Sequence, residues 1–277
     1  MPRKKIPPVV IAALVAATVL IGIALGCSVL RKSHAVEKPE ISDTPAAAAE
    51  ETPAPEKIPA PEEALDPEPE KETLPSEDFR VVGSIVTLGS YEQDNDPENG
   101  REAIEWVVLD VQDGRSLIIS KFALDCQPYN TDIMPDPTWE TCSLRKWMNE
   151  DFLGEAFSAE EQKRISGNTV TADRNPEYDT DPGRDTEDLV FLLSMPEAER
   201  YFNSDAAGQC IASPYALAKA CYADPRDGSC CWWLRSPGFS AAFAAFVDSY
   251  GVIKYGGDAV ASAPFGVRPA LWITLED

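Results

Sequence analysis

Between Ala35 and Asp78 the chain carries nine prolines, fourteen acidic residues, three lysines and no aromatic residue. A segment of this kind buries too little apolar surface to offset the entropy of ordering it. It therefore divides the chain, and any core must be built from Phe79 to Asp277. This is length enough for one domain. As a Pro-rich, charged and semi-extended linker, residues 35–78 reach on the order of 100 Å at about 3 Å per residue. Such a reach suits a spacer across a cell wall, and a linker of no particular reach has the same composition.

Ahead of the linker, residues 1–34 hold five basic residues and no acidic ones. Residues 8–30 are apolar apart from Thr18, Cys27 and Ser28, a run that spans a bilayer as one helix. Arg3, Lys4 and Lys5 before it favour a cytoplasmic N-terminus and an extracellular domain. Two readings stay open: a transmembrane anchor stopped by Arg31 and Lys32, or a lipoprotein signal with Ile23 to Cys27 as the attachment box. Both put the domain at the outer face of a cell membrane.

The domain from Phe79 onward has 33 acidic and 16 basic residues, a balance that excludes nucleic acid as a partner, because phosphate binding needs a basic face. The single histidine of the chain is His34, so the domain cannot assemble Ser-His-Asp or Cys-His catalysis as usually built, nor a His-containing zinc site. Carboxylate chemistry, lysine chemistry and calcium remain. Six cysteines lie in the domain, Cys126, Cys142, Cys210, Cys221, Cys230 and Cys231. An even number in an exported domain permits disulfides. Cys126 with Cys142 closes a short loop and is the first pair to test; buried free thiols are the alternative. Cys230 and Cys231 are adjacent, face opposite sides of a strand and do not bond to each other.

Periodicity reads as mixed α+β with a mostly antiparallel sheet. Ile85–Tyr91, Ile104–Val111 and Ser116–Ser120 form a meander, with Asn99-Gly100 turning the first hairpin. Cys142 to Phe152 sets Leu144, Trp147, Met148 and Phe152 on one helical stripe. Ser158 with Glu161, and Ser194 with Glu197, are capping boxes. Tyr215–Tyr222 is a further short helix, and Met148 and Met195 are core. Later strands are expected at Leu189–Leu193, Trp232–Arg235, Ala245–Asp248, Gly251–Tyr255 and Val267–Leu275. Asp94, Asp96 and Glu98 at the hairpin tip miss EF-hand spacing and read as a solvated turn. The polar loop Asp173–Asp188 offers Asp179, Asp181 and Asp185 as oxygen ligands for calcium, the one cofactor considered; a solvated acidic excursion is the plainer reading.

Five stretches together resemble a bacterial surface domain family: Asp125 to Asn130, Trp139 to Trp147, Val190 to Ser194, Cys230 to Gly238 (C-C-W-W-L-R-S-P-G) and Val267 to Ile273 (V-R-P-A-L-W-I). The family's hallmark is W-L-R-S-P-G followed by V-R-P-A, and the resemblance runs from about Val82 to Leu275. That family is similar to the C-type-lectin-like fold of formylglycine-generating-enzyme relatives, a fold that also displays the variable regions of retroelement-diversified proteins. The resemblance implies that the N- and C-terminal strands pair and that loops of the final third form an exposed face. Cys230-Cys231 does not match the catalytic cysteine pattern of formylglycine-generating enzymes.

Two rigid motifs frame residues 239–266. Trp232, Arg235, Pro237, Gly238, Arg268 and Pro269 are the expected frame. Its arginines either brace loops through carbonyls and acidic partners or grip a carboxylate ligand, and its Pro and Gly residues fix turn geometry. Inside, aromatics stand among small polar residues, the composition of a paratope. Relatives look rich in asparagine here, and randomising the adenines of an Asn codon cannot produce Lys, Glu, Gln, Met or Trp. Only Lys254 of Phe239–Gly266 belongs to that set, whereas 30 of the 160 residues from Phe79 to Gly238 do; about five would be expected by proportion. The expected binding and variable positions are Phe239, Ser240, Phe243, Phe246, Asp248, Tyr250, Asp258, Ser262 and Phe265. Ala244, Ala245, Val247, Gly251, Ile253, Tyr255, Gly257 and Val260 are the expected fixed positions. The function expected is a surface-displayed module, not an enzyme, that binds a protein or glycan. The resemblance further implies that such a module is the variable target of a diversity-generating retroelement. A carboxylate-based or degenerate formylglycine-generating-type surface enzyme and a structural envelope protein are the alternatives.

Overall fold

The structure is a computed structural model that describes residues 78–132, 136–261 and 265–275. Among these residues no helix is long and apolar enough to cross a membrane. The apolar run 8–30, Cys27 and linker residues 35–77 lie outside them, as does Ser262.

The domain opens with strands β1 (Ile85–Tyr91), β2 (Glu102–Gln112) and β3 (Arg115–Ser120), an antiparallel meander at the expected positions. Alternation sets its register: Val86 and Leu88 of β1, and Ile104, Trp106 and Val108 of β2, turn inward and are buried. Strand β4 (Asp125–Gln127) leaves this sheet for a second one.

Helix α1 (Ser143–Trp147) follows, runs through one wide turn at Met148–Phe152 and continues as α2 (Leu153–Ala156). Leu144, Met148 and Phe152 of the expected stripe are buried, and Trp147 is half-buried against them. Both capping boxes form, Ser158–Glu161 starting α3 (Ala159–Arg164) and Ser194–Glu197 starting α4 (Met195–Tyr201). Between these helices lie β5 (Ile165–Ser166), β6 (Asn168–Val170), β7 (Thr186–Asp188) and β8 (Val190–Phe191). Two short helices, α5 (Asp205–Gly208) and α6 (Pro214–Ala218), precede the final strands.

Those strands are β9 (Trp232–Pro237), β10 (Phe243–Val247), β11 (Ile253–Ala259), β12 (Phe265–Val267) and β13 (Ala270–Thr274). The larger sheet runs β1-β2-β3-β13-β5, with β8 also on β13, and the second runs β11-β10-β9-β12-β4. The pairings are antiparallel apart from β12 on β9. The result is a sheet-rich α+β domain with short helices and a curled antiparallel sheet.

Several expectations are corrected. β13 pairs with β3, β5 and β8, so the first and last strands do not pair; β2 and β3 stand between them. The apolar run Leu189–Leu193 is strand only at Val190–Phe191; beyond it the Leu192 carbonyl accepts from the Arg235 guanidinium and the Leu193 carbonyl from the Arg235 backbone N–H on β9. The helix expected over Tyr215–Tyr222 stops at Ala218, where Ala220 takes φ 67° and the Cys221 N–H closes back on the Ala216 carbonyl. The span Val267–Leu275 is two strands in two sheets, broken at Arg268-Pro269.

Trp232 and Trp233 point to opposite faces of β9 and both are fully buried, since β9 is central in its sheet and covered on both sides. Each indole N–H meets a carbonyl, Gly208 at 3.1 Å and Gln127 at 2.9 Å, as buried tryptophans require. The two ends of the domain meet at one place. Ser116 stands opposite Ile273 in the sheet, its hydroxyl donates to the Phe79 carbonyl, and the Leu275 N–H donates to the Gly114 carbonyl.

Candidate functional site: a framed aromatic hairpin

Arg235 is buried on β9 and holds four groups at once. Its guanidinium forms a two-pronged ion pair with Glu197, one prong at 3.0 Å, and donates to the carbonyls of Leu192 at 2.8 Å and Thr171 at 3.2 Å. Asp173 stands 3.6 Å away. The same Glu197 carboxylate accepts the Ser194 N–H of the α4 capping box, so one side chain ties α4, β9 and the 171–173 segment together. Arg268 lies against the rings of Phe202 and Trp232, 5.2 and 5.0 Å from their centroids, and donates to the Ser120 carbonyl at 2.9 Å. Both arginines are buried and donate to carbonyls within the fold, and Arg235 also pairs with Glu197.

Pro237 and Gly238 end β9, and their carbonyls are taken by the long polar loop: Asn175 donates to the Pro237 and Tyr255 carbonyls, and Thr180 to that of Gly238, each at 2.8 Å. Gly238 is required by close approach, because a Cβ there would lie 2.5 Å from the Gly256 carbonyl oxygen and 2.8 Å from the Phe243 Cβ. The Pro269 carbonyl accepts the Ser120 N–H at 2.9 Å.

The loop does not bring its calcium candidates together. Asp179 pairs with Arg174, Asp181 accepts the Gly183 N–H and Asp185 accepts the Ala172 N–H. Buried Asn175 and Thr180 order it instead. Among the described residues, the carboxylates close enough to share one ion are Glu92, Asp94 and Glu102. All three, however, already accept backbone N–H groups of their own hairpin tip.

β10 and β11 form the framed hairpin. Ala244, Ala245, Val247 and Val260, four expected fixed positions, are buried, as is Gly251, and Ile253, Tyr255 and Gly257 are half-buried. The expected binding positions divide. Phe239 is 50% and Tyr250 59% exposed, Asp258 is exposed, and Ser240 and Phe243 are half-buried. Phe239 packs on Phe243 at 4.2 Å and on Tyr178 at 6.3 Å between ring centroids. These three rings form an open aromatic patch.

Phe265 is not part of it. At 7% exposure it stacks on Trp233 and Phe246 at 4.7 and 4.5 Å. Half-buried Phe246 is the outer end of a ladder that runs through Phe265 and Trp233 to Tyr129.

Asp248 has a structural task as well. Its Oδ1 accepts the N–H groups of Tyr250 and Val252 at 2.9 and 3.0 Å, and Oδ2 pairs with Lys254 at 2.8 Å. Burial opposes its ionisation, but Lys254 and the two N–H groups outweigh burial and lower its pKa. Removing this cap with Asp248→Ala is expected to cost about 1 kcal/mol, as for other side-chain caps; the exposed Lys254 adds little. A carboxyl with a depressed folded pKa stabilises fully above its unfolded value, and the contribution is lost as pH falls through the folded value. The gap in urea midpoint between wild type and Asp248→Asn should therefore be open at pH 7 and close in acid.

Tyr178, Asn175 and Thr180 were not among the expected site residues. The signal for Tyr178 was a lone aromatic in an otherwise polar loop. Beside the hairpin, a cleft of about 360 Å³ is lined by Glu199, Phe202, Asp205, Ile253 and Tyr255, among others. The Tyr255 hydroxyl bonds to Glu199, which pushes its pKa up to about 12.

All six domain cysteines are free thiols. Cys126 and Cys142 do not pair. Cys142 caps α1, its sulfur accepting the Arg145 N–H, and burial pushes its thiol up to about 12; Cys126 contacts Cys221 instead.

Compared with known proteins, residues 113–275, more than half of the chain, match the family model described as Domain of unknown function (DUF6273). A search of curated proteins and a search of solved structures each returned no match.

Proposed function

We propose that this chain, which belongs to the DUF6273 domain-of-unknown-function family, is a surface-displayed binding module of C-type-lectin-like fold, carried outside a membrane by residues 8–30 and the linker 35–78. The observation that carries this reading is the open patch of Tyr178, Phe239 and Phe243, fixed on backbone that Arg235, Asn175 and Thr180 hold from behind. Rigid aromatics present large amphipathic area at low entropic cost, as in paratopes. A patch already in place also avoids part of the ordering cost of association. The ligand class is a protein or glycan on another surface, reached through aromatic and apolar contacts with Asp258 and Ser240 at the rim.

The fold reading rests on the partly exposed β10–β11 hairpin of the final third. Diversification of the hairpin is the finer part of the proposal. Outward Phe239, Ser240, Phe243, Tyr250 and Asp258 stand beside buried Ala244, Ala245, Val247 and Val260, so the outer set changes with little effect on the core. Phe265 and Asp248 are withdrawn from the variable set by their packing and capping roles.

The test is a glycan and protein array probed with the full-length chain and with a Tyr178→Ser/Phe239→Ser double variant. Signal on a defined ligand that drops at least tenfold in the double variant is the expected result. Equal signal from both proteins would overturn the assignment of this patch. Sequencing the gene across sibling isolates tests diversification: changes confined to the outward set support it, and an invariant stretch refutes it.

A further inference from the structure

Four of the six thiols lie in one buried row. Cys126 contacts Cys221, Cys221 contacts Cys230, and Cys230 contacts Cys210. The backbone brings them together from four segments. Gly266 pairs with Cys126 across β12 and β4, the Cys230 N–H donates to the Cys210 carbonyl at 2.7 Å, and Ala223 bridges Cys230. The row fits only because position 266 is glycine: a Cβ there would lie 2.7 Å from the Ala123 Cβ and 3.2 Å from the Cys230 sulfur. The Cys126–Cys221 end is the less enclosed, and Cys210 and Cys230 lie deeper.

The arrangement is linear rather than tetrahedral. Four cysteines around a zinc ion converge on one point, whereas among the described residues the set of metal-ligating atoms that converge in this way is the carboxylate trio Glu92, Asp94 and Glu102. Within the row the outer contacts dominate, Cys221 interacting most strongly with Cys126, and Cys230 with Cys210. Contacts with the Cys126 and Cys230 thiols lower the Cys221 pKa against burial; the Cys210 pKa is lowered too, but Cys221 stands at the less enclosed end, within easier reach of an oxidant. At the deep end Arg268 adds a nearby positive charge to Cys210.

We propose that this row is an oxidation site that closes into two disulfides, Cys126–Cys221 and Cys210–Cys230, with electrons passed along it to a small-molecule or protein disulfide. The Cys221 thiolate attacks one sulfur of the oxidant and releases the other as a thiolate. Cys126, giving its proton to that leaving group, then attacks the Cys221 sulfur and expels the second thiolate. One dithiol is oxidised and one disulfide reduced to two thiols.

The buried pair is oxidised by exchange. Cys230 attacks Cys221, which frees Cys126; Cys210 then attacks Cys230, which frees Cys221. A second equivalent of oxidant closes Cys126–Cys221 again. Exchange of this kind depends on thiolate fraction and on which sulfur is within reach, and a row gives each attacker one neighbour on either side.

The test uses the full-length chain, reduced and then treated with oxidised glutathione, with alkylation of remaining thiols in denaturant and peptide mapping. Loss of four hydrogens, with Cys126 linked to Cys221 and Cys210 to Cys230 while Cys142 and Cys231 are alkylated, is the expected result. Six alkylated domain thiols, a link to Cys142 or Cys231, a Cys221–Cys230 link at completion, or zinc retained stoichiometrically by the purified chain would each overturn it. Cys221→Ser tests the relay: Cys210–Cys230 should form at least tenfold more slowly than in wild type, and an unchanged rate would overturn passage along the row. The wild-type map decides the pairing independently of how that variant folds.

Discussion

Arg235→Ala is expected to destabilise the domain by about 3–5 kcal/mol, the range for removing one partner of a buried ion pair. The guanidinium is enclosed, so no water replaces it. Its removal leaves the Leu192 and Thr171 carbonyls without their donor and frees Glu197 from the fork that fixes it. Glu197 is partly exposed and recovers some solvation, which favours the lower half of the range. Arg235→Lys should fall between wild type and alanine, since one ammonium cannot reproduce the planar fork. Urea unfolding of the full-length chain measures both. A midpoint for Arg235→Ala equal to wild type would show that the bracing contacts contribute nothing.

Trp232→Ala should have a comparable cost, about 3–5 kcal/mol, as for other buried aromatic truncations. Here the cavity term is joined by the loss of one wall of the Arg268 stack and of the bond to the Gly208 carbonyl. Trp232→Phe keeps a ring under Arg268 and loses only the N–H and part of the volume, so it should recover more than half of the loss. Equal destabilisation by the two variants would mean that Arg268 gains nothing from the ring.

Local patterns in the chain were legible where they depended on neighbours in sequence. The β1–β3 meander and both capping boxes are decided by alternation and by side chains three residues apart, and they form as expected. The bracing role of Arg235 was also readable as one of two alternatives, because a buried guanidinium demands carbonyl and acidic partners. What could not be read depended on contacts across long separations. Phe265 looks like its exposed neighbours in composition, but its pairing with Gln127 and its stacking on Trp233 carry it inward. Asp248 looks variable until the turn it caps is seen. Cys126 with Cys142 was the first pair to test because the two are close in sequence, whereas the thiol beside Cys126 comes from Cys221, 95 positions along. Likewise Tyr178 joins the aromatic patch only because Asn175 and Thr180 fasten its loop to the end of β9.

The meeting of Phe79, Ser116, Ile273 and Leu275 at one end of the β3–β13 pair has a consequence of another kind. Entry and exit of the domain lie side by side, bonded to the same β2–β3 region. Domains built this way accept insertion into a host loop and circular permutation, because joining their ends requires little chain and displaces no core residue. This one is therefore a plug-in cassette, suited to transplantation between architectures: a short bridge from Leu275 to Asp78 would close it into a ring, and new ends could then be opened at the exposed Asn99-Gly100 turn.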